Sequence, residues 1–221
     1  MKKILLATMA VMSISALASN NVYIKLGGDA YTHYDKVSLT TQPDNKTIDI
    51  ISPEKGRGVG GFVEATTDLT PEFEVGLGAG FIGRYNGANE IIDSERYEVN
   101  KPRYSSIPVY ATAKFNIAND SEITPYVKAD IGYSFNKVNG DFKQTEVGKN
   151  TTETYNTKVA NGLYGGLGIG AEYKNFLAEV SYNYINSTIT LTPEKEKDAK
   201  GEAKSYGNKA VRVSLGYKFN F

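Results

Sequence analysis

From Val211 to Phe221 every second residue is apolar or aromatic: Val211, Val213, Leu215, Tyr217, Phe219 and Phe221. Arg212, Ser214, Gly216, Lys218 and Asn220 fill the positions between them. Side chains of a strand point alternately to opposite faces, so this segment predicts a strand with one greasy and one wet face. Seven more segments repeat the period. Val22, Ile24 and Leu26 share a face in 22–29, and Val59, Gly61, Val63 and Ala65 share one in 59–65. Phe73, Val75, Leu77, Ala79 and Phe81 line up next, then Ile107, Val109, Ala111, Ala113 and Phe115. Val127, Ala129, Ile131, Tyr133 and Phe135 form a fifth set, and Leu163, Leu167, Ile169, Ala171 and Tyr173 a sixth. Phe176, Ala178, Val180, Tyr182 and Tyr184 complete the seven.

The connections alternate in length. Segments 68–72, 117–123 and 174–175 are turn-like, whereas 35–57, 86–103, 137–158 and 187–205 are long and rich in Asp, Asn, Lys, Glu and Thr. Short turns on one side and long loops on the other describe an up-and-down antiparallel arrangement. Strands of about 9–11 residues also match the length needed to cross a bilayer at a tilt. No run after residue 18 is apolar enough to cross as a helix. Lipid cannot satisfy an open sheet edge, so a membrane-spanning form must close on itself. The expected fold is all-β: an eight-stranded antiparallel transmembrane up-and-down β-barrel, monomeric, with both termini periplasmic.

The placement of charge separates a lipid-facing barrel from a soluble one. Lys25, Asp29, Glu64, Glu74, Arg84, Lys114, Lys128, Asp130, Glu172, Glu179, Arg212 and Lys218 all fall opposite the apolar faces, which carry no charge. A soluble barrel would turn those charges outward and bury the apolar set. Here the apolar face is broad and rimmed by Phe73, Phe115, Tyr173, Phe219 and Phe221 at one end and by Tyr133, Phe135, Tyr182 and Tyr184 at the other. Such aromatic girdles mark the two membrane–water interfaces. The twelve charges are therefore expected inside.

An eight-stranded interior is just wide enough for side chains to fill, and an unpaired buried ion costs several kcal/mol. The six basic and six acidic residues are thus expected to pair as a neutral ionic network that plugs the lumen. Following the chain up and down puts Lys25, Glu64, Glu74, Lys114, Lys128, Asp130, Glu172, Glu179 and Lys218 in the periplasmic half. Gly76, Gly78, Gly80, Gly166, Gly168 and Gly170 share the inward face. They either leave room for water or an extracellular cavity, or relieve crowding and strand curvature.

Composition sharpens the compartment. Lys2-Lys3, the apolar stretch from Ile4 to Leu17 and Ala16-Leu17-Ala18 read as a secretory signal peptide, residues 1–18, ahead of a barrel domain at 19–221. Removing Lys2 and Lys3 leaves 23 basic against 25 acidic residues, a net charge near −2 that suggests no nucleic-acid partner. With no cysteine, disulfides and thiolate metal sites are excluded. One histidine and scattered carboxylates give no basis for a metal or other cofactor, and none is expected.

Catalysis is not expected either. His33, followed by Tyr34 and Asp35, lies near the long-loop rim without the His-x-Ser arrangement of outer-membrane deacylases, and reads as a solvated rim residue. Gly78-Ala-Gly80-Phe-Ile-Gly83 matches a dinucleotide fingerprint. That motif needs a helix after it, and here it lies inside an alternating strand. In the loops, Ile91, Ile92 and Tyr97 are the best candidate contacts, since interfaces favour aromatic and apolar anchors over Lys and Glu. The charged stretch 193–204 reads as a solvated loop.

The signal peptide, the strand Ile107-Pro-Val-Tyr-Ala-Thr-Ala-Lys-Phe115, the glycine-rich strands and the final Phe221 together resemble the small eight-stranded outer-membrane barrels. That family includes the OmpA transmembrane domain, OmpX, Ail and the opacity proteins. The resemblance implies the cell outer membrane, contact with outer-membrane lipid, and recognition of Tyr217, Phe219 and Phe221 by the barrel-assembly machinery. Unlike full-length OmpA, the chain ends with its last strand, so no peptidoglycan tether is expected. It further implies a surface role through the loops, adhesin-like or host- and environment-contacting, with envelope support. A narrow porin for small solutes is the alternative.

Overall fold

Alternation with lipid on one side obliges each backbone to find its hydrogen bonds in a neighbouring strand, and the chain does this by closing the sheet. The computed structural model describes residues 21–35, 37–41, 46–51, 57–85, 90–92, 97–100, 103–139, 142–146, 151–193 and 202–221; the predicted signal peptide lies outside them. In chain order the strands are β1 (Asn21–Tyr34), β2 (Val37–Thr41), β3 (Lys46–Ile51), β4 (Arg57–Asp68), β5 (Phe73–Tyr85), β6 (Glu90–Ile92), β7 (Tyr97–Asn100) and β8 (Arg103–Asn116). They continue as β9 (Ile123–Asn139), β10 (Phe142–Glu146), β11 (Thr151–Val159), β12 (Gly162–Tyr173), β13 (Phe176–Ile185), β14 (Thr188–Pro193), β15 (Glu202–Ser205) and β16 (Asn208–Asn220).

Eight of them form a closed antiparallel barrel in the order β1-β16-β13-β12-β9-β8-β5-β4, with β4 back against β1. These are the eight segments predicted from alternation, each longer at the long-loop end. The short turns are pinned by local hydrogen bonds. Asn119 receives the Ser121 N–H at 2.8 Å and donates to the Ile123 carbonyl at 3.1 Å. In the two-residue turn, Lys174 takes φ 57° and Asn175 donates to the Lys218 carbonyl at 2.7 Å.

The long connections are not the plain polar loops expected. Strands β15-β14-β11-β10-β7-β6 pair into a second, six-stranded sheet, and β2-β3 form a separate hairpin. The physical reason is visible in β14 and β11, where β-branched Thr, Ile and Val recur among the polar residues and favour a pleated, half-buried surface. Ile189 and Leu191 of β14 pack with Tyr34, Tyr104 and Tyr206 in a buried cluster over the mouth of the barrel.

One irregularity in β1 matters. Asp29 faces Arg212, but the next pair is Tyr31 with Val211, so Ala30 is extra. This bulge reverses the alternation above it. Below it Tyr23, Lys25 and Asp29 point inward; above it Thr32 and Tyr34 are buried while Tyr31 is exposed. On the outer face Leu26, Ile131, Leu167 and Leu215 are each about two-thirds or more exposed, as lipid contact requires.

Candidate functional site: the barrel interior and its mouth

The twelve charges singled out by alternation all turn into the lumen, and they stack in layers. In the lowest, Glu74 accepts from Tyr23 at 2.8 Å, Thr66 at 2.9 Å and Asn116 at 2.9 Å. Lys114 bridges Glu74 at 3.0 Å and also bonds Glu172. Lys218 stands 3.5 Å from Glu74 and 3.7 Å from Glu172. The Lys114 ammonium lies over the rings of Tyr23 and Tyr126, 4.8 Å from each centroid.

The middle layer centres on Glu64. One of its oxygens takes Lys128 at 2.6 Å, Lys25 at 2.8 Å and the Tyr110 hydroxyl at 2.7 Å. Lys25 also reaches Glu179 at 3.2 Å, Lys128 reaches Asp130 at 2.9 Å, and Tyr126 donates to Glu179 at 3.1 Å. Above it Arg212 donates Nε–H to Asp29 at 2.7 Å, with its guanidinium 4.9 Å from the centre of the Phe62 ring.

Arg84 departs from the expected pairing. Among the described residues no carboxylate bonds its guanidinium. It donates instead to the Tyr104 carbonyl at 3.0 Å, Ser106 at 2.7 Å and Asn208 at 3.2 Å, and lies 4.6 Å from the Tyr104 ring centre. The nine charges of the lower and middle layers comprise four cations and five carboxylates. Their neutrality is therefore not local: it closes only when Arg84 at the mouth is counted.

At the mouth, Asn136 joins the wall to the extracellular strands. It accepts from Ser106 at 2.7 Å and Ser134 at 3.0 Å and donates to the Ala160 carbonyl at 2.9 Å and Ser187 at 2.8 Å.

The inward glycines hold rings rather than a cavity. A Cβ on Gly80 would meet the Phe62 ring at 2.2 Å, one on Gly78 the Tyr110 ring at 2.5 Å, and one on Gly170 the Tyr126 ring at 2.4 Å. Gly76 is closed against the Ala65 carbonyl at 2.1 Å. Only Gly166 and Gly168 face looser surroundings, with nearest atoms at 3.0 and 3.4 Å. Two interior voids, lined by Asp130, Arg212 and Asn183 and by Lys114, Glu172 and Thr112 among others, measure about 10 Å³ each. That is about the size of one water molecule. The alternative of glycines relieving crowding is the one realised at most of these positions.

A family model for the outer membrane protein β-barrel domain matches residues 4–219. The chain belongs to that family. It is an integral protein of the outer membrane, with its short turns on the periplasmic side. The uncharacterised protein PM1543 of Pasteurella multocida strain Pm70 is 38% identical over 245 residues, covering 99% of this chain and 98% of its own. Among solved structures, AlkL in lipid bilayers matches with a TM-score of 0.50 at 11% identity, over 92% of this chain and 91% of that one. Ail, the attachment invasion locus protein of Yersinia pestis, matches with a TM-score of 0.47 at 15% identity, over 91% and 99%. At such an identity AlkL shares the fold with this barrel and nothing finer.

Sequence reasoning missed the inward tyrosines of this barrel. Tyr23, Tyr110, Tyr126 and Tyr164 are buried and bond the ionic layers or their neighbours. The signal was available, since each shares its strand's face with the inward glycines or charges. His33 stacks on Tyr31, ring centroids 6.4 Å apart and planes 4° apart, and sits opposite Lys209. The neighbouring Asp35 accepts from Lys209 at 3.1 Å and from the Gly207 N–H at 3.1 Å. Of the loop candidates, Ile91 and Ile92 fall on β6 and Tyr97 pairs with Ile92 across to β7; their side chains lie outside the described residues.

Proposed function

We propose that this is a closed-lumen outer-membrane barrel that works through its extracellular strands, in an adhesin-like or host- and environment-contacting role with a share in envelope support. The observation that carries the reading is the interior itself. Among the described residues, the two interior voids between the layers of paired charge and buried tyrosine measure about 10 Å³ each, too small for a solute path. The work is then left to the structure above the mouth, where three long connections are braced into one sheet. A rigid wall that positions variable surface segments is a common basis for binding. Ile91, Ile92 and Tyr97 remain the proposed contact residues, and Tyr217, Phe219 and Phe221, exposed on the lipid side, the proposed assembly signal.

Planar-bilayer recording of the purified barrel tests the closed lumen. The expected result is no steady conductance; a large and stable one would establish the narrow porin instead. Deleting 86–103 separates binding from support: loss of adhesion with normal envelope integrity is the expected outcome, and unchanged adhesion removes this loop from the proposal. The reading is non-catalytic, so an esterase assay is expected to give the same background for wild type and His33→Ala.

A further inference from the structure

Seven of the eight seams in the wall join barrel strands that follow one another along the chain. Three are closed by the short turns between β4 and β5, β8 and β9, and β12 and β13. The other four continue into paired connections, β2 with β3, β6 with β7, β10 with β11 and β14 with β15. In all seven a hairpin holds the register. The eighth seam, β1 against β16, joins the first described strand to the last, and no turn sets its register.

Its outer face cannot choose a register either. Val22, Ile24, Leu26 and Gly28 stand opposite Phe219, Tyr217, Leu215 and Val213, and a shift of two residues would again set apolar residues against them. The inner face does choose. There Tyr23, Lys25, Gly27 and Asp29 stand opposite Lys218, Gly216, Ser214 and Arg212. Asp29 and Arg212 are both buried; Arg212 donates Nε–H to Asp29 Oδ1 at 2.7 Å, and its Nη2 lies against the same oxygen. Lys25 fits because its partner is glycine, where a Cβ would come within 2.8 Å of the lysine side chain. Moving β16 by two residues one way sets Lys25 against Lys218 and Asp29 against Ser214. Moving it two the other way sets Arg212 against Gly27 and Asp29 against Ala210. Either shift takes Arg212 from its place directly opposite Asp29, and a slip of one residue turns the inward charges to lipid.

We propose that Asp29 and Arg212 are the register key of the closing seam: their pairing fixes the stagger at which β1 meets β16. Fixing register is the best-attested use of a buried ion pair. In a barrel of given strand number the stagger is linked to strand tilt and width, so the same pair also sets the bore. The bulge at Ala30 follows at once, which makes Asp29 and Arg212 the last inward pair in this frame.

The chain has no cysteine, so engineered pairs report the register by disulfide formation in the folded barrel. Gly28→Cys is combined in turn with Val213→Cys, at the native partner, and with Leu215→Cys or Val211→Cys, at the partners after either slip. Positions two residues off a direct partner lie about 7–8 Å away, beyond the reach of a disulfide. With Asp29 and Arg212 in place, only the Val213→Cys combination is expected to cross-link. Asp29→Asn is expected to raise the slipped cross-links at least about tenfold. Asp29→Asn with Arg212→Gln is expected to do the same; it leaves no unpaired ion at the seam and carries the test where the single variant does not fold. Glu64→Gln removes an equally buried carboxylate from another layer and is expected to keep the native cross-link alone. A folded double variant that cross-links only through Val213→Cys overturns the proposal. Slippage of equal extent in Glu64→Gln overturns it as well, since register would then follow overall stability.

Discussion

Lys128 on β9 and Glu64 on β4 meet at 2.6 Å across the lumen, although two other strands stand between theirs in the wall. The same carboxylate oxygen also holds Lys25 and Tyr110, so Glu64 ties together four strands. Breaking a buried pair by removing one partner costs about 3–5 kcal/mol, because the other charge stays in place without compensation. Glu64→Gln is expected to lose stability in that range, measured as the urea concentration that abolishes the heat-modifiable folded band in vesicles. Adding Lys128→Met should recover part of the loss. A cost below about 1 kcal/mol would mean that these charges are hydrated rather than buried.

Gly170 and Gly28 make a matched pair of tests. A Cβ on Gly170 would lie 2.4 Å from the Tyr126 ring and 2.6 Å from the Ala178 carbonyl, whereas one on Gly28 meets nothing closer than 3.9 Å. Overpacking costs about 1–3 kcal/mol. Gly170→Ala should therefore destabilise the barrel by that amount, and Gly28→Ala should stay within about 0.5 kcal/mol of wild type. Comparable urea midpoints for the two would refute the close packing of ring and glycine.

Ser106 accepts from Arg84, which bonds no carboxylate among the described residues, and donates its own hydroxyl hydrogen bond to Asn136. Hydrogen bonds to charged groups are worth about 1.5–3 kcal/mol. Ser106→Ala is expected to lose about 2 kcal/mol, with Ser106→Thr retaining more than half of it. Indistinguishable unfolding of Ser106→Ala and wild type would show that Arg84 finds its stabilisation elsewhere.

Asn136 holds the mouth rather than the membrane span. Asn136→Ala removes bonds to Ala160 and Ser187, which flank β11 and β14. Limited proteolysis of barrel in vesicles should then cut the extracellular strands faster, while the membrane-protected fragment keeps its wild-type resistance to urea. Faster loss of both together would place Asn136 in the global core instead.

The barrel was legible because lipid enforces one rule on every strand. Period two, read from Val211 to Phe221, transfers without change to Leu26, Ile131 and Leu167, and whatever shares a strand with them on the other face must be inside. That rule put all twelve charges, from Lys25 to Lys218, on the face opposite the lipid. It could not choose their partners, since pairing depends on which inward layers come level across the tilted wall. Arg84 shows the limit: its ligands are a carbonyl, a hydroxyl and an amide from three positions on β8 and β16, which carry no charge signal. The bulge at Ala30 was equally hidden, because either alternation is compatible with Tyr31, His33 and Tyr34. Above the membrane, water satisfies strand and loop backbones alike. Polar composition therefore concealed β11 and β14, whose pairing is decided by long-range partners.

The extracellular sheet is stitched from different connections: β7 pairs with β10, and β11 with β14. Each seam joins hairpins that are far apart in sequence, so an insertion in one displaces the register of the next. Such surface segments cannot diverge one at a time. Under selection on this surface they would change as a block, and a graft that exchanged one hairpin would need its neighbour to come with it.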